Sequence, residues 1–161
     1  MPQEIERKFL VAFLPNLENY FYEEIEQGYL CLGDKEEVRL RRLERDLTYS
    51  YTLTAKKGSG LVRGEYEISL DKLQFDKLWP MTEGRRIYKQ RYCDPSQPDI
   101  TVDIYMGPLT NLMIVEVEFL SEEEAILFQP YDWMGKEVTY DDNYKNRSLA
   151  VKQTIPSCYK Y

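Results

Sequence analysis

The stretch Glu4-Ile5-Glu6-Arg7-Lys8-Phe9 alternates one character of side chain with another at a period of two, which is the period of a β-strand. Side chains two residues apart share a face, so Glu4, Glu6 and Lys8 point one way and Ile5, Arg7 and Phe9 the other. The division recurs along the chain. Arg39 and Arg41 alternate with Val38 and Leu40, and Glu65 and Glu67 with Tyr66 and Ile68; Asp103 is flanked by Val102 and Ile104, and Glu116 and Glu118 by Val115, Val117 and Phe119. Lys56, Lys89 and Arg91 add cations at strand positions.

Turn signals such as Leu32-Gly33-Asp34, Lys57-Gly58-Ser59-Gly60 and Met106-Gly107-Pro108 separate these runs. They divide the chain into about eight antiparallel strands, from Glu4 to Phe9, Gln27 to Leu32, Glu37 to Glu44, Thr48 to Lys56, Gly64 to Leu70, Gly84 to Tyr92, Asp99 to Tyr105 and Leu112 to Phe119. Helices are expected from Asp71 to Leu78, stopped by Pro80, from a Ser121–Glu124 capping box to Gln129, and from Arg147 to Gln153. The expected class is mainly β with some helix (α+β), as one domain over residues 1–161.

On any single strand a charged face is ordinary solvent exposure. A wet sheet face, however, mixes Thr, Ser and Gln with its charges, whereas here strand after strand carries a carboxylate pair or a cation pair. The apolar faces need a cover, which helices provide if the sheet curls with its charged face inward. The expectation is an eight-stranded antiparallel β-barrel enclosing a charged tunnel, with helices packed outside. Unpaired buried ions cost several kcal/mol each, so such a lumen must be wet and hold counter-charges.

The sequence contains no histidine, which excludes Ser-His-Asp and Cys-His catalysis and removes imidazole as a metal ligand. Cys31, Cys93 and Cys158 form no C-x-x-C pair and read as structural. A net charge of −7 argues against nucleic acid and anionic membranes as partners, and no apolar run approaches the roughly 20 residues of a bilayer span. MPQEIERKFL lacks the apolar core of a secretory signal, so a cytoplasmic protein is expected, as a monomer or homodimer.

Mixed sign inside the barrel narrows the occupant. Carboxylate clusters such as Glu4/Glu6 and Glu116/Glu118 repel unless a hard divalent cation lies between them, and oxygen-only ligands favour Mg2+ or Mn2+. Guanidinium and ammonium groups ask for a dense anion such as phosphate. A metal-bound polyphosphate satisfies both.

Glu4-Ile-Glu-Arg-Lys8 resembles the ExExK signature of the CYTH, or triphosphate tunnel metalloenzyme, superfamily. Gln27-Gly-Tyr29, Val38-Arg-Leu-Arg41, Lys56, Arg63 with Glu65-Tyr-Glu67, Gly84-Arg-Arg with Lys89 and Arg91, Asp103 and Val115-Glu-Val-Glu-Phe119 follow in the order shown by the short bacterial members. The resemblance implies hydrolysis of inorganic triphosphate, a small-molecule substrate, with adenylate cyclase and thiamine triphosphatase as rivals in the same tunnel. A non-catalytic polyphosphate binder is the rival of another class, disfavoured because an anion sensor has no use for so many inward acids. It further implies catalytic roles for Glu4, Glu6, Lys8, Glu116 and Glu118, and metal ligation by Glu4, Glu6, Asp103, Glu116 and Glu118. Lys8, Arg39, Arg41, Lys56, Arg63, Lys89, Arg91 and Lys145 would grip the triphosphate, with Glu65 and Glu67 as additional tunnel acids.

Overall fold

The computed structural model describes residues 2–159. Its strands are β1 (Gln3–Val11), β2 (Phe21–Leu32), β3 (Glu36–Arg45), β4 (Thr48–Lys57), β5 (Val62–Leu70), β6 (Arg86–Cys93), β7 (Ile100–Tyr105), β8 (Met113–Glu118) and β9 (Met134–Glu137), and its α-helices are α1 (Lys72–Leu78), α2 (Glu122–Leu127) and α3 (Asn146–Lys152). The sheet runs β5-β4-β3-β2-β6-β7-β8-β1-β9, and a further β5–β1 pairing closes eight of these strands into an antiparallel barrel. Closure falls on the opening motif. Gln3, Glu4 and Ile5 pair with Gly64, Arg63 and Val62 on one side, while Glu6 to Leu10 pair with Glu118 to Ile114 on the other.

The ninth strand was not expected from the sequence, because Met134-Gly-Lys-Glu is too short to show alternation. It pairs with the far half of β1, at Phe9 and Val11, where β5 no longer reaches. Strand β2 also begins earlier than expected, at Phe21, since Phe21 to Glu23 pair with β6 and Glu24 to Glu26 with both β3 and β6.

The inward face changes character along the barrel. Following the parity of β1, Lys8 gives way to Leu10; on β8 Glu116 gives way to Ile114, on β7 Asp103 to Tyr105, and on β6 Lys89 to Ile87. The apolar set joins Tyr29, Leu109, Leu112, Tyr144, Leu149, Ala150 and Tyr159 in one buried cluster, so α3 closes this end of the lumen. That differs from the expected packing of every helix on the outer wall. Leu149 and Ala150 are the apolar side of a short helix and bury best against the open end of the barrel.

The other helices lie outside. Phe75 of α1 is buried between Tyr51 and Trp79. Asp71 accepts from the Gln74 N–H and Gln74 returns a bond to the Asp71 N–H, a full capping box. The Ser121 hydroxyl accepts from the Glu124 N–H at 3.1 Å, as expected for α2. Phe128, beyond the end of α2, sits with Phe119 over Phe9, Val102, Val115 and Val117 in a second buried cluster on the outer wall. Gly28 is required where Thr82 and Trp79 press on β2, because a Cβ there would lie 2.6 Å from the Thr82 Cβ. Among the described residues no helix is long and apolar enough to cross a membrane.

Candidate active site

The lumen opens into a cavity of about 200 Å³ whose walls are almost wholly ionic. Strand β1 contributes Glu4, Glu6 and Lys8; β3 contributes Arg39 and Arg41; Lys56 comes from β4, Arg63, Glu65 and Glu67 from β5, Arg91 from β6, Glu116 and Glu118 from β8, and Lys145 from the segment before α3. Residues distant in sequence meet because alternate positions of every strand face one axis.

Two expected members do not reach the cavity. Lys89 and Asp103 are fully buried and bonded to each other, Nζ to Oδ2 at 2.6 Å. The same carboxylate receives Arg91 as a fork, from Nε at 2.8 Å to Oδ1 and from Nη2 at 2.9 Å to Oδ2. Both oxygens of Asp103 are thus bonded to cations, and Lys89 is enclosed behind the cavity wall. Their strand parity is correct; their depth in the barrel, beside the apolar end, is what alternation does not encode. Burial is opposed at Asp103 by Arg91 and Lys89, which hold its carboxyl below the ordinary range, while burial pushes Lys89 down to about 8 despite Asp103.

The acids on the β1/β8 side are less well matched. Glu6 and Glu118 face each other across the β1–β8 ladder, and neither has an ion-pair partner among the described residues. Burial raises the pKa of Glu6, and Glu116 and Glu4 raise it further; burial followed by Glu4, Glu6, Glu65 and Asp99 does the same at Glu118. Their neighbours are compensated. Lys56 Nζ lies 2.8 and 2.7 Å from the two oxygens of Glu4 and 3.1 Å from Glu65, and Glu116 receives Arg91 at 3.1 Å and Lys8 at 3.5 Å. Lys8, Arg91 and then Lys89 and Lys56 outweigh burial at Glu116 and hold it well below the ordinary range.

On the opposite wall the imbalance has the other sign. Arg41 donates through Nε and Nη2 to the neutral Gln27 Oε1, at 3.0 and 2.9 Å, and Gln27 in turn donates to the Tyr29 hydroxyl. Burial, then Arg39 and Arg91, push the Arg41 guanidinium down to about 9, still charged at neutral pH. Arg39 is buried, and its Nε has no hydrogen-bond partner. Neither arginine has a carboxylate within ion-pair distance among the described residues.

Sequence reasoning missed Tyr29, Glu37, Asp99, Thr101, Asn146 and Arg147, which also line the cavity. Glu37 shares the parity of Arg39 and was within reach of the period-two argument. Asn146 and Arg147 were not, because they arrive from α3, whose docking on the barrel end no local pattern announces. Tyr29 is fully buried, and its ring belongs to the apolar cluster.

Among the described residues no three carboxylates converge closely enough to hold a metal ion on protein oxygens alone. A hard cation that keeps waters and takes phosphate oxygens needs only one or two carboxylates, and the unpaired Glu6 and Glu118 beside Glu4 are of that kind.

Comparison with family models finds no match. Among curated proteins the chain is similar to the inorganic triphosphatase of Nitrosomonas europaea, 48% identical over 151 residues that cover 92% of this chain and 97% of the relative. It is 32% identical over 154 residues to the inorganic triphosphatase of Acetivibrio thermocellus, covering 93% and 94%. Among solved structures, the crystal structure of an inorganic triphosphatase matches with a TM-score of 0.65 at 44% identity, covering 94% of this chain and 96% of that one.

Proposed function

Because the chain belongs to the inorganic triphosphatase family, within the CYTH or triphosphate tunnel metalloenzyme superfamily, we propose that it hydrolyses inorganic triphosphate with a divalent cation, Mg2+ or Mn2+, in this cavity. One observation carries the reading to this site: Arg39 and Arg41 are guanidiniums without carboxylate partners, facing a lumen whose other wall holds the unpaired carboxylates Glu6 and Glu118. A polyanion with its cation supplies both missing charges.

Glu6 and Glu118, with Glu4 beside them, would hold the cation. When bound, such a cation acts as a Lewis acid toward a phosphoryl group and makes water more acidic. Arg39 and Arg41 bind phosphate oxygens with forked N–H donors and fix which phosphorus faces the acids. Arg91 is held rigid by Asp103, so it presents a fixed charge with no reorganisation as negative charge builds on the leaving phosphate. Lys8 and Lys56 exchange carboxylate partners for phosphate oxygens. In a chain without histidine, carboxylate oxygens take the water's proton. Phosphoryl transfer asks chiefly for positioning and charge stabilisation, which this wall provides without a covalent nucleophile.

Among the described residues the lining contains no exposed aromatic face on which a purine or thiazolium ring would stack, which supports inorganic triphosphate over ATP or thiamine triphosphate. A cytoplasmic setting is supported by Cys31, Cys93 and Cys158, all free thiols. The test is phosphate release from tripolyphosphate, ATP and thiamine triphosphate side by side, with each metal and with chelator, checking ATP reactions for cyclic AMP. Metal-dependent release from tripolyphosphate above the other two is expected. Dominant cyclic AMP, or binding with no release, would sink the proposal.

A further inference from the structure

The basic wall contains one carboxylate that the reaction does not use. Glu37, on β3 two residues before Arg39, is 4% exposed and lines the cavity. Its Oε2 lies 3.2 Å from Arg63 Nη2 and 3.9 Å from Arg147 Nη1, and its cross-strand neighbour on β4 is Lys56. Against the desolvation of its burial, Arg63, Arg39 and Lys56 hold its carboxyl below the ordinary range, so Glu37 is charged at neutral pH.

A fixed negative charge on the binding wall of an anion site opposes the ligand. One use for it would be to anchor Arg63 and Arg147, but both have other anchors. Arg63 Nε donates to the Gly58 carbonyl at 3.2 Å, and Arg147 donates to the Glu36 carbonyl at 3.2 Å and to that of Gly33. Those backbone bonds remain when the Glu37 charge is removed.

We propose that Glu37 is a counter-anion: it limits the affinity of the basic wall for polyphosphate, and so sets how readily the shorter phosphate product leaves. The inference rests on the triphosphate reading of the cavity. An anchoring role and a counter-anion role predict opposite signs for the same substitution, which makes them separable.

Glu37→Gln keeps an oxygen that accepts from Arg63 and removes the charge. Calorimetric titrations with the product pyrophosphate in the presence of Mg2+, and with tripolyphosphate in chelator so that binding is read without turnover, should show the variant binding each roughly fivefold more tightly than wild type, with a steeper loss of affinity as salt is added. Unchanged or weaker binding overturns the inference. Should that variant not fold, Glu37→Asp decides: it keeps the charge and draws it away from Arg63, so affinity within about twofold of wild type is expected, and a loss of about tenfold would make Glu37 an anchor instead. Wild-type protein that binds neither pyrophosphate with Mg2+ nor tripolyphosphate in chelator would overturn the triphosphate reading, and this inference with it, whereas wild-type binding with the wrong sign in the variants overturns the inference alone.

Discussion

Two clusters of inward-facing charge occupy neighbouring positions of one barrel and behave differently. Around Asp103, Lys89 and Arg91 satisfy both carboxylate oxygens with bonds of 2.6 to 2.9 Å, and only Arg91 of the three reaches the cavity. Around Glu6 and Glu118, carboxylates face each other across the ladder, and burial together with neighbouring acids raises both pKa values. The first cluster is complete in the folded chain and stiffens the wall, while the second leaves Glu6 and Glu118 without counter-charges among the described residues, which the proposed cation and polyanion would supply. Inward parity alone therefore does not make a charged residue functional; what matters is whether the fold has already supplied its counter-charge.

The largest expected effect comes from breaking the complete cluster. Asp103→Asn strands Lys89 in the interior and leaves Arg91 with Glu116 alone, and urea unfolding should show a loss of about 3–5 kcal/mol. A loss near zero would mean that the cluster is solvated and that the contrast does not hold.

The same chemical change in the incomplete cluster should do the reverse. Glu6→Gln removes one of two opposed carboxylates, so thermal stability without metal should hold or rise, while metal-dependent turnover falls by about 100-fold or more. Loss of stability together with activity would mark Glu6 as structural.

Acid titration separates the clusters within one molecule. Glu6 and Glu118 bind their protons more tightly folded than unfolded, so their contribution to stability grows as pH falls toward the ordinary value of 4.5. Asp103 and Glu116 are held below their ordinary values of 3.8 and 4.5, so their contribution is complete above those values and is lost as pH falls through the lower, folded ones. The Tm of metal-free protein should rise modestly from neutrality to roughly pH 5 and fall below roughly pH 4, and Glu6→Gln should flatten the rise without moving the fall.

The smallest effect is expected where the lumen meets solvent. Glu67 is exposed and already accepts from the Thr54 hydroxyl at 2.8 Å, so Glu67→Gln should change kcat and KM by no more than about twofold. A larger change would extend the reactive cluster to the rim.

Much of this was legible in the residues. Alternation on β1, β3, β5, β7 and β8 reported the inward charged face, because strand geometry converts period two into facing without reference to distant contacts. The β9 strand and the α3 cap were not legible in that way: a strand as short as Met134–Glu137 has too few alternations to register, and α3 shows its apolar side without saying what it covers. Asp103 and Lys89 were read onto the right face, but that they lie behind the cavity wall was not legible, since depth along the barrel axis leaves no mark on a local pattern.

By itself, then, the sequence determined that the chain forms antiparallel strands with one charged face, that its chemistry does without histidine, and that acids and cations share a lumen. Tertiary structure alone decided which charges neutralise each other. That outcome depends on strand register and on closing β5 against β1, and these bring Glu4 to Lys56, Asp103 to Lys89, and Glu37 to Arg63 across gaps of sequence that no local periodicity spans.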